Sequence, residues 1–304
     1  MTSLWEGTLK AAPTLDRWLR GGSLELHVGR LPRSAWAIVA GSVARACAER
    51  GRSLLVLVAA PDRFCDELRP WLAGRPYAHV FAEVAVSFLD RPPAFDEAVN
   101  KRLDALGALA RASEEPTIVV SSRRACTRQT MSPRELAEGT LVLAPGQGPD
   151  PLAVALSLVE LGYSREALVE DRGQFSLRGG ILDVFPAAAD EPIRAEWSGD
   201  VVETLRLFDP ENQRSVMAIP QAVIRTGREL LLGRDRGSRA VDLIRDSVSL
   251  DGLRGDVRSV WEDELVRLEA GSAFPGIEFY SAYLDPSRPS LLDHVPRDVV
   301  VLGR

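Results

Sequence analysis

Lysine is almost missing from this chain. Lys10 and Lys101 are the only two, although lysine and arginine together number 37. The scarcity makes one test complete, because any motif that needs lysine can be checked at two positions. A phosphate-cradling loop follows Gly-x-x-x-x-Gly-Lys-Ser/Thr, with the lysine reaching the β- and γ-phosphates and the hydroxyl holding Mg²⁺. Its natural place is ahead of the helix expected from Ser34, where the chain reads Gly29-Arg30-Leu31-Pro32-Arg33-Ser34-Ala35-Trp36. Lys10 follows Thr8-Leu9, and Lys101 follows Val99-Asn100. Neither supplies the motif, so a nucleotide-binding loop of this type is excluded.

Cysteine and histidine are equally sparse. Cys47, Cys65 and Cys126 form no Cys-x-x-Cys pair, and His27, His79 and His294 are scattered. A zinc site needs about four clustered ligands, so no metal is expected. Three cysteines in no framework fit a reducing compartment, and each reads as a small buried apolar residue. No Gly-x-Ser-x-Gly elbow is present. Gly146-Gln147-Gly148 and Gly179-Gly180 are not the Gly-x-Gly-x-x-Gly of a dinucleotide site. The first reads as a loop. The second reads as lying within strands, at a bulge or a close backbone approach. No cofactor and no catalytic set are expected. No basic-then-apolar leader opens the chain and no run approaches the roughly 20 apolar residues of a membrane span, so a cytoplasmic location without membrane contact is expected. The net charge of -6 weighs against nucleic acid as the main partner, since phosphate-gripping domains usually carry a basic excess.

What is present is a change of pattern along the chain. Leu15, Trp18 and Leu19 sit at helical spacing, and 23–28 alternates as a strand does. Residues 34–50 read as helix. Residues 53–59 and 117–121 are continuous apolar runs of the kind buried on both faces of a parallel sheet. Pro61 opens a helix through Trp71, 79–81 is a further short strand, and 95–112 is helical. After Ser121 short segments take over. A helix at 133–138, a strand at 140–143 and a helix at 152–161 capped by Gly162 come first. Strands at 167–171, 174–177, 180–185, 193–197 and 201–208 follow, with a hairpin turn at Ser198-Gly199-Asp200. Helices return at 241–249 and 261–268, and 298–302 is another buried-type strand. The reading is an α/β chain with a parallel-sheet domain in two parts, 1–121 and 227–304. An α+β module, 122–226, is inserted between them, and the last strand completes the first sheet.

The most distinctive stretch, 173–215, carries Arg178, Arg194, Arg206 and Arg214 on short strands. Strand arginines pair bidentately with carboxylates and are enriched at interface hot spots. Internal pairing with Glu196, Glu203 or Asp209 is the alternative use for any one of them. The run Arg178-Gly179-Gly180-Ile181-Leu182-Asp183-Val184-Phe185-Pro186 resembles a hallmark shared by UvrB and the transcription-repair coupling factor. Its continuation does so too: Pro192-Ile193-Arg194, Gly199-Asp200-Val201-Val202-Glu203, Leu207-Phe208-Asp209-Pro210 and Gln213-Arg214-Ser215. The missing phosphate loop resembles the coupling factor's UvrB-like N-terminal region, as does the tail Phe274-Pro275-Gly276-Ile277-Glu278-Phe279-Tyr280.

The resemblance implies a degenerate UvrB-like, helicase-type α/β domain carrying an inserted domain that binds UvrA. It implies a non-catalytic chain that recruits UvrA where RNA polymerase has stalled at a lesion. Contacts to RNA polymerase and DNA, and ATP-driven translocation, would belong to C-terminal domains outside this chain, and one of those domains can mask the UvrA surface. It implies UvrA contacts at Arg178 and Arg194. A third family contact, an aromatic, falls on Ser198 here, with Trp197 beside it as a substitute or as core. Reversing both arginine charges is expected to abolish binding with the fold intact. The other readings are a UvrB-type ATP-dependent DNA-processing domain and a purely autoinhibitory one.

Overall fold

The first described helix, α1 (Arg33–Ala48), leads into strand β1 (Leu54–Leu57), helix α2 (Pro61–Leu68), strand β2 (Ala78–Phe81), helix α3 (Glu97–Ala110) and strand β3 (Ile118–Ser121). Then come α4 (Arg123–Thr127), α5 (Pro133–Glu138), β4 (Thr140–Leu143), α6 (Pro151–Glu160) and β5 (Ser164–Arg165). Six strands follow: β6 (Gln174–Arg178), β7 (Ile181–Val184), β8 (Ile193–Ser198), β9 (Val201–Phe208), β10 (Ser215–Ala218) and β11 (Ala222–Arg225). The chain closes with α7 (Arg234–Ser247), α8 (Gly255–Glu269), α9 (Ser281–Leu284) and β12 (Val300–Gly303). The structure, a computed structural model, describes residues 31–72, 77–84, 96–232, 234–249 and 252–303. The expected helix around Trp18, the expected strand at 23–28, Lys10, His27 and Gly29-Arg30 lie outside the described residues.

The chain divides into two compact units. The first comprises residues 1–83, 104–128 and 290–304, and the second 84–103 and 129–289. The first unit is built on a four-stranded sheet in the order β12-β1-β3-β2. Its strands are parallel, with β1 between β12 and β3. The apolar runs explain the placement. β1 and β3 are buried almost throughout, as a central strand covered on both faces must be. The core gathers Val43, Ala44 and Cys47 of α1, Leu54 and Val56 of β1, Phe64 and Leu68 of α2, Val120 of β3 and Val300 of β12. The expected closing strand therefore joins this sheet, beside β1. Burial pushes the Cys47 thiol up to about 11 and raises those of Cys65 and Cys126. All three remain protonated, unreactive core residues at neutral pH. His79 on β2 sets Nδ1 2.6 Å from the Asp104 carboxylate.

The second unit carries a six-stranded sheet in the order β10-β9-β8-β7-β6-β5 and a two-stranded sheet of β11 and β4. Helix α6 covers one face of the larger sheet. Asp150 caps its first turn by accepting from the Leu152 N–H at 3.0 Å, with Pro151 at the opening position. Gly162, at φ 93°, ends it in the left-handed region, as expected. Val154, Ala155 and Leu158 of α6 pack on Phe175, Leu182, Val184, Ile193, Ala195 and Leu205. Alternation along each strand sends the intervening residues to the opposite face.

Two expectations are corrected. Residues 167–171 form no strand, because side chains take up their backbone groups. Gln174 Oε1 accepts from the N–H groups of Glu170 and Asp171, while Ser176 and Gln213 donate to the carbonyls of Ala167 and Val169. Val169 then buries against Phe185 and Phe208. Gly179-Gly180 is not within a strand but forms the two-residue turn between β6 and β7, since Arg178 pairs with Ile181, while the close backbone approach is present: a Cβ on Gly180 would sit 3.2 Å from the Trp197 carbonyl oxygen. Gly179 has φ 61°, which a glycine at the first turn position of a hairpin adopts without strain. Strands β10 and β11 were not expected. β11 crosses to β4, with Val223 opposite Val142.

A buried ion pair ties together distant segments of the second unit. Arg102, on α3, is 1% exposed and donates from Nε to both Glu229 carboxylate oxygens at 2.8 Å. Thr130 Oγ1 donates to the same carboxylate, and Arg288 donates to the Glu229 carbonyl. Removing one partner leaves a buried charge uncompensated, which costs about 3–5 kcal/mol. Glu229→Ala is expected to lose that much stability in urea denaturation. A loss below about 1 kcal/mol would show that this network does not hold the segments.

Candidate partner-binding site

The face of the six-stranded sheet that α6 leaves uncovered carries the arginines. The hairpin register determines which residues meet there. Ser176 lies opposite Asp183, Asp183 opposite Arg194, and Arg194 opposite Arg206. One row thus crosses β6, β7, β8 and β9 with its side chains on one face. Arg178 begins the next row, opposite Ile181, which pairs with Glu196.

Asp183 is the centre of this arrangement. Its side chain is 0% exposed and its carboxylate accepts three N–H groups. Arg194 donates from Nε at 2.6 Å and from Nη2 at 2.9 Å, and Arg178 donates from Nη2 at 2.8 Å. The fork of Arg194 matches the carboxylate in the bidentate geometry that makes such pairs strong. These bonds raise the Arg194 pKa above the ordinary guanidinium value. Both arginines thus make an internal ion pair, the alternative use, but with Asp183 and not with Glu196, Glu203 or Asp209. Glu196 instead accepts from Thr204 Oγ1 at 2.9 Å, and Asp209 binds the 211–212 turn.

The two arginines differ in what remains available. Arg194 is 16% exposed, donates from Nη1 to the Gln213 carbonyl at 3.1 Å, and lies 4.8 Å from the centre of the Phe208 ring. Gln213 is the one described non-glycine residue at positive φ, 61°. Its side-chain amide donates to the carbonyls of Val169 and Pro210. Arg194 is therefore enclosed by the sheet and the 209–214 loop. Arg178 is 53% exposed, so one edge of its guanidinium meets Asp183 and the rest faces solvent.

Trp197 and Ser198 part ways. Trp197 points to the α6 side, packs against that core and donates from Nε1 to the Pro149 carbonyl at 2.8 Å. It lies on the face opposite Arg194 and fills the core position. Ser198 is exposed at the end of β8, where Gly199-Asp200 turns the hairpin into β9. The structure brings Arg178 and Arg194 together through a residue that sequence reasoning did not single out. Asp183 was nonetheless readable from the hallmark run. A two-residue glycine turn pairs 178 with 181 and leaves 183 on the same face, diagonal to Arg178. Among the described residues, no group of three or more His, Cys, Asp or Glu is placed to hold a metal. No helix among them is long and apolar enough to cross a membrane.

Comparison with known proteins matches this region to a family. The UvrB interaction domain matches residues 141–229, which span β4 to β11 and contain the whole arginine face. The matched residues all lie in the second unit. The chain is 32% identical to the transcription-repair-coupling factor of Mycobacterium bovis over 96% of its own length and 24% of that protein. It is 37% identical to that of Myxococcus xanthus over 52% of its length and 13% of that protein. It is also 26% identical to the UvrABC system protein B of Synechocystis over 84% of its length and 42% of that protein. The resemblance to the UvrB-like region of the transcription-repair coupling factor, read from residues 173–215, is thereby borne out. The chain spans about a quarter or less of these two coupling factors.

The expectation that both arginines can be reversed with the fold intact needs correction at Arg194. A glutamate there would set a second carboxylate against buried Asp183 and strip it of its bidentate partner. Arg194→Ala and Asp183→Ala are each expected to cost about 3–5 kcal/mol. Arg178→Ala, at a half-exposed position, should cost under about 1 kcal/mol. Guanidinium denaturation of the three variants reads these values directly. Equal losses for Arg178→Ala and Arg194→Ala would contradict the asymmetry.

Proposed function

We propose that this chain is the non-catalytic UvrA-docking region of a transcription-repair coupling factor. It recruits UvrA to lesions at which RNA polymerase has stalled. The observation that carries the reading is the half-exposed Arg178, held by a buried aspartate on the open face of the sheet, inside the residues matched by the UvrB interaction domain. An arginine whose direction is fixed before binding loses little freedom on docking, and arginines at interface centres are frequent hot spots. Contacts with RNA polymerase and DNA, and ATP-driven movement, belong in this reading to the remainder of a longer protein.

The absence of a lysine-bearing phosphate loop supports assigning no ATPase to this chain. The similarity to UvrABC system protein B keeps a UvrB-type ATP-dependent reading as the competitor, and two measurements separate them. In a pulldown with purified UvrA, Arg178→Glu is expected to weaken binding by roughly 2 kcal/mol or more, about thirtyfold, with an unchanged circular dichroism spectrum. In a fluorescent-nucleotide titration the chain is expected to show no saturable ATP binding. Full UvrA binding by folded Arg178→Glu, or micromolar ATP affinity, would reject the proposal.

A further inference from the structure

Arg206 stands directly across from Arg194 on the same face of β8 and β9. Like charges in directly opposed strand positions destabilise a sheet. Arg194 is answered by Asp183, but Asp183 also serves Arg178. Glu196, the nearest acid in the neighbouring row, is engaged by Thr204. Arg206 is exposed, and no ion pair holds it among the described residues. Its other cross-strand neighbour is Ala218 on β10, too small to cover it. The face thus sets three arginines against two carboxylates, in a chain whose net charge is -6.

From this we infer that Arg206 is a further partner-contact residue. It takes a carboxylate from an acidic patch on UvrA, and Arg178 and Arg206 flank Arg194, which acts by positioning and not by contact. The inference rests on the reading of this face as the UvrA surface. Charge complementarity selects the occupant: Arg178 gives Asp183 only one edge of its guanidinium, Arg206 has no ion pair among the described residues, and guanidinium forks bind carboxylates bidentately. Arg194 cannot make such a contact without leaving Asp183, the Gln213 carbonyl and the Phe208 ring. Arg206 can, because it is exposed and gives up no internal ion pair among the described residues to do so.

The test measures UvrA binding by surface plasmon resonance with the full chain, at low and at physiological salt. The variants are Arg206→Gln, Arg206→Glu, Arg178→Glu and Arg111→Glu. The last makes the same charge reversal at an exposed position in the other unit. Arg206→Glu is expected to weaken binding at least tenfold. Arg206→Gln should slow association and flatten its salt dependence, as loss of an interfacial charge does. Arg111→Glu should leave both unchanged. If Arg206→Glu behaves like Arg111→Glu while Arg178→Glu abolishes binding, Arg206 is no contact and the docking reading survives. If the unaltered chain does not bind UvrA, the docking reading fails and this inference falls with it.

Discussion

Asp183 has no exposure to solvent, and the guanidinium groups of two different strands hold its carboxylate. A carboxylate taken out of water is costly unless its lone pairs are satisfied and its charge is matched. Here both conditions are met by side chains that the sheet register delivers. The carboxylate therefore does more than neutralise. It joins β6, β7 and β8 on their open face and, through Arg194, fastens the Gln213 carbonyl and the 209–214 loop. The other described face features, the Phe208 ring against Arg194 and the small cluster of Val169, Phe185 and Phe208, sit around that anchor.

The sheet has two faces with different duties. Toward α6 it is apolar, and Leu182, Val184, Ile193, Ala195 and Leu205 supply the burial that stabilises the module. Away from α6 the same strands present arginines, and one residue's step in register exchanges the two sets. Two-residue turns at Gly179-Gly180 and Gly199-Asp200 fix that register. The glycines of the hallmark run are thus tied to the arginines: they decide which face Arg178 and Asp183 share. Such coupling explains why the run reads as one unit and not as separate residues.

Much of this was legible in the residues. Continuous apolar runs gave β1, β3 and the closing strand beside β1, because a strand covered on both faces has no polar alternate positions. The alternation of 193–208 gave β8, β9 and the turn between them. Other parts were not legible, for physical reasons. Residues 167–171 stand among short strand-like segments, yet Gln174, Ser176 and Gln213 side chains claim their backbone groups. β10 pairs on one side only, and β11 pairs with β4 some 80 residues earlier in the chain, where local pattern carries no information. Asp183 was overlooked because it lies in an apolar-looking run, Ile181 to Phe185. Its charge becomes meaningful only once the hairpin sets it beside Arg178. Arg178 and Arg194 read as an equivalent pair in sequence, and only the structure separates them, leaving the first half-exposed and enclosing the second.

By holding Arg178 in place, Asp183 shapes the surface proposed to meet UvrA. A double-mutant cycle in UvrA affinity tests it most directly, using Asp183→Asn, Arg178→Ala and the combination, each measured by calorimetry below its melting temperature. The two changes are expected to be coupled by at least about 1 kcal/mol, since residues in one hydrogen-bonded network do not act independently. Strictly additive effects would show that Arg178 meets its partner without help from Asp183, and would contradict the account.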